Sequence, residues 1–333
     1  MGSRILRWSR ERLRNKRVVV ALELTALAVF LAALGWALRD VWADAAPRLR
    51  NADLVDLGLA LLVLAAYYLV FVLGWMRILV GYGIRIPYRV ALQAEMLSML
   101  AKYVPGGVWT PAARVVALRR LGYRETPVIL ASVLLEAGLS ALAGVGVFVV
   151  GLAFVDGVDA PLLPIAAFGV VVAVLLYPPI FRRVASRLLR PFGAGAVTAL
   201  PVRTAISLLV FYACTWPLGG LALFFLLRSV GGDPALSAIP FLGGASAIGA
   251  IVAVLAIFAP SGLGVREASV YGLLLAVSAS GVALGAIVLN RLAITVVEAA
   301  LLLVGVLLIR ASPAKVDEEP RADPHLASGE GAA

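Results

Sequence analysis

Histidine and cysteine are almost missing from this chain: His325 and Cys214 are single copies in 333 residues. A lone cysteine forbids an intramolecular disulfide. With one histidine, in a polar tail, neither a His/Cys metal site nor a Ser-His-Asp triad can be assembled, and no metal or cofactor is expected. Charge is scarce too. Asp, Glu, Lys and Arg make up 14% of the chain, where soluble domains carry about a quarter. Short segments alternating apolar and polar residues are also lacking, which excludes a closed β-barrel.

What the chain has is continuous apolar sequence. It is 62% hydrophobic, with a mean hydropathy of +1.00. Several runs reach the roughly 20 residues that cross a bilayer. The fold class is therefore an all-α polytopic membrane protein. The net charge of +10 is assigned to cytoplasmic loops, where arginines collect, and no nucleic-acid partner is expected.

Full spans are expected at Val18–Leu38, Leu54–Met76, Pro127–Val155, Pro161–Ile180, Thr204–Leu227 and Val282–Ile309. The basic N-terminus and the first run imitate a signal peptide. The run is too long for an h-region of about 7–15 residues and reads as an uncleaved span. Residues 1–17 form a basic cytoplasmic segment, 18–310 a transmembrane domain, and 311–333 a polar, disordered tail. Lysine and arginine in alternate loops put both termini in the cytoplasm, with the plasma membrane of a prokaryote as the location.

Two segments fit no span. Tyr88–Tyr103 carries Arg89, Gln93, Glu95 and Lys102, and Pro111–Leu121 is short and amphipathic. They read as one re-entrant hairpin. Ser237–Ala259 followed by Gly264–Val277 reads as a second, although its first limb is long enough to span. Loop charges leave open whether the hairpins dip or cross, between six spans plus two hairpins and as many as ten crossings. Residues 54–155 and 204–309 then form an inverted repeat, one half starting outside and the other inside. "VPGGV" answers "APSGL" at the breaks, and "LLEAGLSAL" answers "VVEAALLLV" in the spans that follow. Interrupted helices at a repeat interface are a recurring transporter design.

The breaks carry the chemistry. Pro105 removes a donor, and Gly106 and Gly107 relax the backbone. Thr110 is placed as an N-cap with Pro111 at the first helical position. A helix that starts at membrane depth has free N–H groups and a positive dipole end that need water or an anion. Arg114, one turn in, completes a cradle suited to phosphate. The second break repeats the parts: Pro260, Gly262, Gly264, Arg266 and Glu267. Trp109 is placed inside the first break, against a lipid head group. Glu136, Arg291, Glu298, Glu95 and Lys102 are intramembrane charges, costly in hydrocarbon and expected to pair or to serve coupling. Glu136 and Glu298 would neutralise Arg114, Arg266 or Arg291. Trp216 and the pair Tyr67–Tyr68 read as interfacial anchors.

"KYVPGGVWTPAARVVALRRLG" and "APSGLGVREA" resemble the flippase-like transmembrane domain of the lysyl-phosphatidylglycerol synthase family. The resemblance covers nearly the whole chain except the termini. It implies a lipid-translocating fold with two re-entrant elements and a substrate with an anionic head group. By matched motif it carries over Pro105, Gly106, Gly107, Arg114, Pro260, Gly262, Gly264, Arg266 and Glu267. The chain departs from bifunctional members in having only a polar tail after Ile309. Stand-alone relatives are linked to polyprenyl-phosphate-sugar or glycolipid pathways.

The function expected is a flippase, not an enzyme, moving an anionic phospholipid or polyprenyl-phosphate-linked lipid between leaflets. A membrane-embedded glycosyl or phosphoryl transferase, or an accessory subunit of a glycolipid pathway, is the alternative. A glycosyltransferase or lipid-synthesis enzyme is a candidate partner, and homodimerisation is left open.

Overall fold

The computed structural model describes residues 42–101, 109–120, 122–123, 125–158, 161–192, 198–256, 259 and 262–311. The expected span Val18–Leu38, the residues Lys102, Pro105, Gly106, Gly107 and Pro260, and the polar tail lie outside them. The described residues are helical, without a strand.

Residues 42–50 form α1. Helix α2, Leu54–Gly81, opens on Asp53, whose carboxylate accepts from the Val55 and Asp56 amides at 2.8 and 3.0 Å. That cap satisfies donors which a helix start leaves orphaned. The short helices α3 (Tyr88–Ala101) and α4 (Trp109–Arg120) pack on each other. Helix α4 begins at Trp109, so Thr110 lies inside it and is not its N-cap. Helix α5, Thr126–Gly151, has a proline in its first turn, where the missing N–H is harmless.

The expected span Pro161–Ile180 is shorter than read. Helix α6 runs Leu162–Leu176, and α7, Pro178–Leu189, leaves it at 81°. The hinge is Tyr177, at φ −56° and ψ 123°. It precedes Pro178, whose ring pushes the residue before it out of the helical region. Helix α7 buries Phe181, Ala185 and Leu189 along one stripe and exposes Arg182, Arg183 and Arg187 on the other side.

Helix α8 is Val202–Ser229, α9 is Ile239–Leu255, α10 is Val265–Leu274 and α11 is Ser280–Ala311. Five stretches among the described residues are long and apolar enough to cross a membrane, or six if α6 and α7 count as one bent span. Leu236–Leu255 is among the five.

Helix α2 packs along α8, α9 lies against α5, α8 and α10, and α11 lies against α3, α8 and α2. Glycines set how closely α9 sits. A Cβ on Gly220 would come within 2.3 Å of the Ile239 carbonyl oxygen, and one on Gly244 within 2.3 Å of Phe148 Cα. Small residues let membrane helices reach backbone contact, where dispersion drives packing. The core around α2, α3, α4 and α11 surrounds the charged groups described next.

Candidate functional site

The centre of the site is Arg114. It lies on α4 and is 3% exposed. A guanidinium in such a place must be paired, since the residual penalty for removing each ion from water is several kcal/mol. Three helices supply its partners. Nη2 meets Glu95 Oε1 of α3, and Nη1 meets Glu136 Oε2 of α5. Nε donates to Ser98 Oγ at 3.2 Å. The guanidinium carbon also sits 4.5 Å from the centre of the Trp75 ring of α2, a cation–π contact strengthened by the lack of water. Trp75 is fixed in turn by Nε1, which donates to Ser132 Oγ of α5 at 2.9 Å.

Glu136 has a further neighbour. The Tyr212 hydroxyl of α8 points to Glu136 Oε1 at 3.4 Å. The Tyr68 hydroxyl of α2 likewise donates to Glu298 Oε1 of α11 at 2.6 Å. Tyr68, Tyr212, Glu136 and Glu298 are all buried. Tyr67 and Tyr68 therefore belong to the interior and are not interfacial anchors. Tyr67 stacks near Trp216 at 6.0 Å between centroids. Trp216 donates to the Ser140 carbonyl at 2.8 Å and is likewise an interior residue.

The start of α10 has its own arrangement. Gly262 and Gly264 take φ values of +64° and +80°, which side chains with a Cβ rarely adopt. They turn the chain into the helix. Gly262 lies so close to Ala253 of α9 that an added Cβ would fall 2.2 Å from the alanine Cβ. Glu267 reaches back, and its Oε2 accepts from the Gly264 amide at 2.6 Å. Its Oε1 accepts from Arg291 Nη1 of α11 at 3.2 Å. The anionic place at this helix start is thus filled by the chain's own carboxylate, as the helix dipole favours.

Arg266 differs from Arg114. It is half-buried and makes no ion pair with a described residue. Its side-chain stem runs past Gly249 of α9, where an added Cβ would be 3.4 Å from Arg266 Cγ. Trp109 is 48% exposed at the start of α4.

The expected pairing of Glu136 with Arg114 is present, as is burial of Glu95 and Glu298. Arg291 pairs with Glu267. Sequence reading did not single out Trp75, Ser98 or Tyr212, and it gave Tyr68 an interfacial place instead of a buried one. A tyrosine hydroxyl in the middle of an apolar span was the available signal, because such a group needs a polar partner.

These features define a polytopic all-α membrane protein with a charged, hydrogen-bonded interior where two sets of helices meet. Residues 23–310 match the family described as the lysylphosphatidylglycerol synthase TM region, and the chain belongs to that family. It is a membrane protein of a lipid-related family. No curated protein matches the chain.

Proposed function

We propose that the protein moves a lipid with an anionic head group, a phospholipid or a polyprenyl-phosphate-linked lipid, from one leaflet to the other without enzymatic chemistry. One observation carries this reading: Arg266 is half-buried in the helical interior and has no ion pair among the described residues. A guanidinium so placed is stabilised by an oxyanion that binds it bidentately, and phosphate suits that geometry. The lipid tail stays in hydrocarbon while the head group enters.

In this reading α2–α5 and α8–α11 are inverted repeats, and α3–α4 and α9–α10 are their re-entrant hairpins. The packing supports it. The last helix of each half lies on the first hairpin limb of the other, α5 on α9 and α11 on α3, and the first helices pair as α2 with α8. The Tyr212–Glu136 and Tyr68–Glu298 contacts exchange in the same way. Rocking one half against the other would open the Arg266 site to each side in turn. In this reading both termini face the cytoplasm.

The test is transport in proteoliposomes holding the full chain and head-group-labelled phosphatidylglycerol. Wild type moves the label across the bilayer. Arg266→Ala lowers the initial rate about tenfold or more, the worth of one charge-assisted hydrogen bond. Arg228→Ala, in the exposed last turn of α8, does not. Equal rates in Arg266→Ala and wild type would remove the reading.

A further inference from the structure

We propose that α7 lies in the plane of the membrane surface and that Arg182, Arg183, Arg187 and Arg190 along it hold anionic phospholipid head groups of the adjoining leaflet. This lipid site is separate from Arg266 and does not depend on the transport reading.

The backbone sets the direction of α7. Thr126–Phe154 is long and apolar enough to cross a membrane. Helix α6 runs antiparallel along it. A Cβ added to Gly138 would come within 2.8 Å of Leu176 Cδ2, and one added to Gly169 within 3.1 Å of Val145 Cγ1. These contacts are about two turns apart on both helices. Helix α7 then leaves α6 at 81°, and a helix so nearly perpendicular to a span follows the bilayer surface. Its packing puts it at one end of the bundle. Phe181, Ala185 and Leu189 share a core with Ala131, Leu135 and Leu139 from the N-terminal half of α5, and with Leu200. Leu200 in turn lies against Gly81, the last residue of α2.

The rest of the helix surface divides in two. At 3.6 residues per turn, Val184 and Leu188 flank the buried stripe on one side, and both are exposed, Leu188 by 59%. Arg182 flanks it on the other side, while Arg183, Arg187 and Arg190 point away from the protein; all four are exposed. One helix thus meets a protein core, offers an apolar flank to acyl chains and presents cations to head groups, the pattern of a helix lying in the interface. Tyr177 before it and Phe192 after it are exposed aromatics, as the boundary between membrane and water favours.

Charge identifies the occupant. The chain has no Asp or Glu from Pro161 to Gly232, and none of the four arginines has a hydrogen bond or ion pair with a described residue. Guanidinium forks match phosphate oxygens, and each basic side chain at an anionic membrane surface strengthens binding about fivefold. An acidic protein segment would answer the arginines and leave the Val184–Leu188 flank in water. Anionic phospholipid answers both, with its phosphate and its chains.

The experiment puts a fluorophore on Leu188→Cys in the full chain, with the exposed Cys214 changed to Ser, in vesicles of phosphatidylcholine. A small, equal mole fraction of nitroxide-bearing phosphatidylglycerol, phosphatidylserine or phosphatidylcholine is the quencher. Both anionic lipids quench about fivefold or more over phosphatidylcholine, and a nitroxide near the head-group end of the chain quenches more than one near the methyl end. Changing the four arginines together to Gln removes the preference, and changing them together to Lys keeps it. Arg266→Ala keeps it too. A label on Leu236→Cys, beyond the far end of α8, shows no preference. Equal quenching by anionic and neutral lipid at Leu188→Cys, or a preference that survives the four Gln changes, overturns the lipid site. A preference lost in Arg266→Ala assigns the lipid to that residue and overturns it as well, as does an equal preference at Leu236→Cys. Stronger quenching from the methyl end overturns the surface placement of α7.

Discussion

Tyr68 on α2 donates a 2.6 Å hydrogen bond to Glu298 on α11. The bond ties α2 to α11, two helices that pack on each other. Tyr212 and Glu136 form the reciprocal contact at 3.4 Å. The two differ in what else holds the carboxylate, because Glu136 also has Arg114. Tyr68→Phe should therefore cost the protein about 1–3 kcal/mol, the penalty for stripping a donor from a buried acceptor. Tyr212→Phe should cost less. Thermal unfolding of the purified variants in detergent ranks them, and the opposite order would refute the comparison.

Arg114 is a keystone of packing as well as of charge. Arg114→Met leaves Glu95 and Glu136 buried without their cation. A loss of about 3–5 kcal/mol is expected, as when one partner of a buried ion pair is removed. The triple variant Arg114→Met, Glu95→Gln, Glu136→Gln should regain much of that stability, since it removes the stranded charges too. Denaturation of the single and triple variants checks the difference. A triple variant no more stable than the single one would show that the guanidinium acts through its Trp75 contact and its volume instead.

Gly264 holds a positive φ at the start of α10 and offers its amide to Glu267. Gly264→Ala should cost about 1–3 kcal/mol through backbone strain. Glu267→Gln keeps the backbone and loses the charge at the cap and the pair with Arg291, about 1 kcal/mol. Proteolysis of the α9–α10 connection should rise more in Gly264→Ala than in Glu267→Gln, and the reverse ranking would count against the strain argument.

Adjacent glycines on α8 give a matched pair. An added Cβ at Gly220 strikes the backbone of α9, whereas one at Gly219 meets nothing within 4 Å. Gly220→Ala should destabilise by about 1–3 kcal/mol, the usual cost of overpacking. Gly219→Ala should be near neutral or slightly stabilising, because alanine is the better helix former. Parallel melting curves of the two variants decide it.

Helix type, the membrane class and the approximate bounds of α2, α5, α8 and α11 were legible in the residues alone. So were the short helices beside the Pro-Gly breaks. Each of these follows from properties that act locally: an apolar run long enough to span, a proline that cannot donate, a glycine that accepts positive φ. The bend between α6 and α7 was equally local. Pro178 and Pro179 announced it, but the apolar run across Tyr177 hid it, because hydropathy does not register a turn.

Partnership was another matter. That Glu136 would find an arginine could be expected from its cost in hydrocarbon, and it did. That Arg114 would hold two carboxylates, that Arg291 would choose Glu267, and that Tyr68 would meet Glu298 could not be read from spacing. These contacts depend on the rotation of each helix about its axis and on which helix lies beside it. Those are set by glycine-lined interfaces such as Gly220 against α9 and Gly244 against α5. The sequence by itself determined which segments are long and apolar enough to cross a membrane and which are too short, since bilayer and backbone judge each segment separately. Only the tertiary structure decided which buried charges meet and left Arg266 without a carboxylate partner among the described residues, since that depends on how several helices pack at once.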